Sequence, residues 1–186
     1  RLICMVMQGL KQNINQFLLL VLVNAFVGAM VGLERSVMPD YTAQRFQINS
    51  NAALLSFIAA FGFTKAIFNL LTGTLHQRFN RKQVLLAGWI AAIPVPFLLM
   101  YAPSWGWVIV ANILLGINQG LAWSSTVIMK VDLVGDKSRG LAMGINEFAG
   151  YVAVGLSGYF ATVLAHSYGA GFYPFVPGIV FALAGF

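Results

Sequence analysis

The chain has 186 residues, is 59% hydrophobic and only 9% charged, and carries a net charge of +6 at a mean hydropathy of +0.80. A soluble domain is nearer half apolar and a quarter charged, so these figures exclude an ordinary soluble enzyme and place the chain in a membrane. The excess of cations does not read as a nucleic-acid surface, because Lys and Arg fall mainly in short gaps between apolar runs, where topology signals belong.

A spanning helix takes about 20 apolar residues. Runs of that kind cover about 17–36, 52–72, 84–101, 107–128 and 141–165, and a sixth, 172–186, stops short. The sixth would rise only about 22 Å in a hydrocarbon core about 30 Å thick. With Arg1 in first place and Phe186 inside an apolar run, the chain reads as a fragment, residues 1–186 of something longer. The runs show no alternation and are about twice the length of a transmembrane strand, so the fold class expected is all-α. Pro94 and Pro96 predict a bend in the third helix. The first run is long enough to span and needs no cleavage as a signal peptide. A single cysteine, Cys4, allows no internal disulfide, and His76 and His166 stand far apart, so no metal and no cofactor are expected.

The placement of Lys and Arg predicts orientation. With the N-terminus cytoplasmic, that side holds Arg1, Lys11, Arg78, Arg81, Lys82, Lys130, Lys137 and Arg139, against Arg35 and Arg45 outside and Lys65 within a span. Trp105 and Trp107 flank the short outer turn, where an interfacial belt would sit. The reading is a multi-pass protein of the cell (inner) membrane with a lipid bilayer as its first partner.

Topology explains the charge of GTLHQRFNRKQ, residues 73–83, but not the order of its residues. Gly73, Leu75, Arg78, Arg81 and Lys82 stand in the register of Gly-x-Leu-Ala-Asp-Arg-x-Gly-Arg-Lys, and the stretch resembles the loop between helices two and three of the major facilitator superfamily. Gln77 replaces the Asp and Asn80 the second Gly; Asn is the next best residue in a left-handed turn. LLGINQGLAWS is similar to the fourth-helix signature ending in Gln119-Gly120, with Gly116 where an Arg associated with proton coupling is expected. DKSRGLAMG resembles the loop into helix five, with Arg139-Gly140 at the join.

The resemblance implies the N-terminal half of a twelve-helix fold: six helices in two inverted three-helix repeats, with a C-terminal six-helix half to follow. It implies a secondary transporter that moves a small-molecule substrate, an organic solute such as a drug or sugar in efflux, by alternating access with protons as the coupling ion. Helices one and four would line the path, helices two and five would face the other half, and the site would lie near the midplane. Gln77 and Gly116 leave open an alternative, a non-transporting receptor-like or assembly protein on the same scaffold.

Polar groups inside the spans are the candidate site residues. Lys65 and Glu147 come to a similar depth, roughly 12 and 10 Å from the cytoplasmic helix ends at helical rise, and read as a pair or as two poles of one cavity. The alternative is that Lys65 snorkels and Glu147 pairs structurally. Asn24 and Asn118 are expected on the path and Gln119 in the scaffold, while Trp123 could stack on a ring or simply pack. Glu34 and Arg35 are read as closing helix one at the outer mouth, as a gate across the halves or as solvated charges. Asp132 and Asp136, with Lys130, Lys137 and Arg139, could pair with the basic turn and latch the cytoplasmic side. Gly140, Gly144, Gly150, Gly155 and Gly158 in helix five read as packing residues. No Ser/His/Asp set, phosphate-binding loop or paired acids point to an enzyme.

Overall fold

Backbone N–H and C=O groups in a bilayer have no water to turn to, so a span must satisfy them internally. The computed structural model describes residues 9–48 and 50–186, and among them no strand forms. Arg1 and Cys4 lie outside the described residues. The helices are α1 (Ile14–Phe46), α2 (Asn51–Arg78), α3 (Arg81–Ala92), α4 (Pro94–Tyr101), α5 (Trp105–Asn118), α6 (Ser124–Val134), α7 (Arg139–Tyr168) and α8 (Val176–Gly185). A π-helical turn, Gln119–Trp123, joins α5 to α6 in one rod, Trp105–Val134. Five described helical rods are long and apolar enough to cross a membrane, and Tyr173–Gly185 is a shorter apolar one.

The bend expected in the third span is present: α3 ends at Ala92 and α4 opens on Pro94, with Ile93 as the joint. The first helix corrects its expected boundary. It runs 33 residues to Phe46, straight through Pro39, instead of closing near Ser36. Proline removes one backbone hydrogen bond, but Val37, Met38 and Tyr41 around it are fully buried, and the Tyr41 hydroxyl donates to the Leu99 carbonyl at 2.5 Å. Arg45, in the last turn, donates to the carbonyls of Met100 (3.0 Å) and Ala102 (3.2 Å), which the end of α4 leaves without helical partners.

In lipid, helix association rests on close packing more than on a hydrophobic drive. Two seams do most of it, α1 on α7 and α2 on α5. On the first, a Cβ at Gly28 would fall on the carbonyl of Gly150 and one at Gly32 on that of Val154. On the second, a Cβ at Gly116 would meet the Phe61 carbonyl and Thr64, and one at Gly120 would strike Phe68. Asn24, Gly28 and Gly32 thus recur as Asn112, Gly116 and Gly120 with identical spacing. Between the seams lies a core of Val27, Met30, Leu33, Trp89, Leu99 and Leu115. The faces left over are unequal: 6% of the apolar stretch of α2 and 22% of that of α7 is buried, against 56% for α1. The free faces carry Leu55, Phe63 and Leu70 on α2 and Phe148 and Leu156 on α7.

Candidate functional site

The π turn sets the geometry of the centre. Its wider winding leaves the Gly120 carbonyl able to accept from Thr72 Oγ1 at 3.0 Å, which ties α2 to the rod. Gln119 lies at its start, fully buried, donating from Nε2 to the Val27 carbonyl at 2.7 Å and accepting at Oε1 from Lys65 Nζ at 3.3 Å. Trp123, at its end, points between α2 and α7. Lys65 Nζ sits 5.3 Å from the Trp123 ring centroid, and Trp123 Nε1 donates to Glu147 Oε1 at 2.8 Å. Lys65 and Glu147 thus both contact one indole and do not form an ion pair. Beside them an open groove of about 370 Å³ is lined by Asn69, Thr72, Gly73, Trp123, Ser124 and Glu147.

Behind Glu147 the polar groups close on themselves. Asn146 Nδ2 donates to Glu147 Oε1 at 3.0 Å. Asn24 Nδ2 donates to the Asn146 carbonyl at 3.0 Å, and Thr126 Oγ1 donates to Asn24 Oδ1 at 3.0 Å. Asn24 is wholly buried, so the expectation that it faces a path is corrected: it staples α1 to α6 and α7. Asn118 is corrected likewise, wholly buried and donating to the Gly88 carbonyl of α3 at 3.1 Å. Helix rotation decides both, since the glycine seams turn these faces inward.

Glu34 and Arg35 do not close a helix at a mouth. They lie inside α1, Glu34 is 1% exposed, and its Oε1 accepts from Asn112 Nδ2 of α5. Glu34 Oε2 and Asn112 Oδ1 are buried without hydrogen-bond partners. Arg35 turns the other way, its guanidinium 5.0 Å from the Phe57 centroid and 4.6 Å from that of Phe61.

At the basic end the turn is shorter than its signature implies. Gly73 and Leu75 belong to α2, which runs to Arg78; Gln77 and Arg78 are exposed. Asn80 is not in a left-handed turn (φ −73°, ψ 157°). It caps α3: Asn80 Oδ1 accepts from Gln83 N at 2.9 Å, and Gln83 Oε1 accepts from Asn80 N at 3.1 Å. Such a capping box needs a side-chain acceptor, which glycine lacks. Arg81 Nε pairs with Asp132 Oδ2 at 2.6 Å, the ion pair found among the described residues, while Lys82, Asp136, Lys137 and Arg139 are exposed. Lys130 is no loop cation. It is wholly buried in α6, and its Nζ donates to the Leu20 carbonyl of α1 at 3.0 Å.

Sequence reading missed Asn112, Thr126 and Asn146. The repeated Asn-x-x-x-Gly-x-x-x-Gly spacing was a visible signal for the first; nothing in the sequence marked the other two. Gly116, where an arginine was expected, is explained by packing: any side chain there would push α2 away. Residues 16–186 match the family model described as Major Facilitator Superfamily. No curated protein matches the chain.

Proposed function

The chain belongs to the major facilitator superfamily, multi-pass membrane transporters, and on that premise we propose that it is a secondary active transporter. It moves a small organic solute by alternating access, coupled to protons. One observation carries this reading: Lys65 and Glu147 are held within spans by neutral partners, around a half-buried indole beside an open groove. Intramembrane charges are expensive to keep. Drug or sugar efflux is the substrate class that the family resemblance offers, and it stays a proposal.

Six helices in two inverted repeats suit the two matched glycine seams, with Tyr173–Gly185 in the sixth place. A C-terminal six-helix half would cover the free faces of α2 and α7. The N-terminus and the Arg81–Asp132 pair lie on the cytoplasmic side of the cell membrane. Removing Lys130 and Arg35 from the loop count leaves the positive-inside bias in the same direction. Of the two departures that favoured a non-transporting relative, Gly116 answers to packing, and Gln77 is exposed on the last turn of α2.

The test is uptake of a solute panel into vesicles bearing the complete protein under an imposed proton gradient. Lys65→Met and Glu147→Gln are each expected to reduce gradient-driven uptake at least tenfold. Full uptake in both variants ends the proposal.

A further inference from the structure

Arg35 and Lys65 come from different helices and meet on one ring. Arg35 Cζ is 4.6 Å and Lys65 Nζ 5.9 Å from the Phe61 centroid, so one phenyl ring is the shared neighbour of two intramembrane cations. Lys65 is near the middle of α2, and Arg35 is well inside α1. Among the described residues no carboxylate oxygen comes within 4.0 Å of either. Of the nearby acids, Glu34 Oε1 accepts from Asn112 and Glu147 Oε1 from Trp123 and Asn146, and neither forms an ion pair with the two cations. Arg35 Nη1 is buried without a hydrogen-bond partner, and Lys65 has a neutral amide oxygen for its acceptor. A guanidinium offers five donors and an ammonium three, so most of this donor capacity is unused.

We propose that Arg35 and Lys65 form the anion-binding subsite of the transport path, and that the solute carried is a small organic anion. Its carboxylate or phosphate bridges the two cations. Its apolar body lies against the rings of Phe61 and Trp123, over both of which Lys65 Nζ is already placed. Gln119, whose Nε2 is committed to the Val27 carbonyl, keeps Lys65 extended toward the ring until an anion replaces its amide oxygen. The inference rests on the transport reading for its meaning, but not for its test.

The test uses the complete protein in a neutral detergent and reads tryptophan fluorescence. Iodide, caesium and neutral acrylamide are compared as quenchers at equal ionic strength. The emission lost in Trp123→Phe is the signal assigned to Trp123. That signal is expected to be quenched at least threefold more by iodide than by caesium, with benzoate protecting against iodide and benzamide not. Lys65→Gln alone should weaken the iodide preference, and Arg35→Gln with Lys65→Gln should abolish it; Arg81→Gln, which removes a cation at the basic end, should leave it intact. Caesium quenching as strong as iodide, or a preference that survives the double substitution, overturns the proposal, and the first of these is the result expected if an acid of the other half already neutralises the pair. An iodide preference without gradient-driven uptake of any solute would sink the transport reading alone. Gradient-driven uptake of neutral or cationic solutes, with no iodide preference, would sink this one alone.

Discussion

The seams α1–α7 and α2–α5 are built with the same spacing of Asn and Gly, yet their asparagines end differently. Asn24, at the head of the first, has donor and acceptor both used, in a chain running through Thr126 and Asn146. Asn112, at the head of the second, donates to Glu34 and to the Val108 carbonyl, and its Oδ1 has no partner; nor has Glu34 Oε2. A closed network holds helices in one arrangement, because any movement leaves a buried group unpaired. An open one has slack, and slack is what a rearranging element needs. The comparison makes α1–α7 the more tightly tied seam and leaves unpaired acceptors at the Glu34–Asn112 contact between α1 and α5.

The largest effect is expected where the seam tolerates nothing. Gly28→Leu must part α1 from the Gly150 carbonyl, at about 3 kcal/mol or more. Thermal unfolding in detergent should show a severe loss, with Gly155→Leu, where space is open, as the silent control. Equal stability of the two variants would mean that the seam is looser than drawn.

The next pair of substitutions should move in opposite directions. Asn24→Leu removes the hydrogen bonds to the Asn146 carbonyl and from Thr126 Oγ1, which keeps the Trp123 carbonyl, and should cost about 1 kcal/mol. Glu34→Gln keeps the shape and lets the new amide donate to the free Asn112 Oδ1, so it should be neutral or stabilising by about 1 kcal/mol. A destabilised Glu34→Gln variant would show that the open region depends on the carboxylate, and the contrast between the seams would fail.

The smallest effect on stability belongs to the basic end. The Arg81–Asp132 pair is 41% and 51% exposed, and exposed pairs contribute about 0–1 kcal/mol. Asp132→Asn should leave unfolding nearly unchanged while shifting the balance of conformations, read as altered labelling of single cysteines placed at either mouth. A change in substrate affinity with no change in labelling would refute a latch.

Much of this architecture was legible beforehand. The apolar runs, the bend at Pro94 and Pro96, and the family resemblance of residues 73–83 are local patterns. Lys65 and Glu147 stood out because charge inside an apolar run is rare. Trp123 stood out as an aromatic that could stack on a ring, but its place between the two charges is a tertiary fact. Glu34 looked terminal because it and Arg35 close the apolar run, and only burial of Val37, Met38 and Tyr41 carries the helix onward.

The sequence by itself determined the solvent of this protein and its helical class, because hydropathy and the length of apolar runs are properties of neighbours along the chain. The tertiary structure alone decided which polar groups face each other. Lys130 reads as a loop cation until α1 brings the Leu20 carbonyl to it, and Asn24 reads as a path residue until α6 and α7 enclose it. The reason is rotational. The same helix can present any of its faces, and the face it presents is set by glycine contacts with residues far away in the chain.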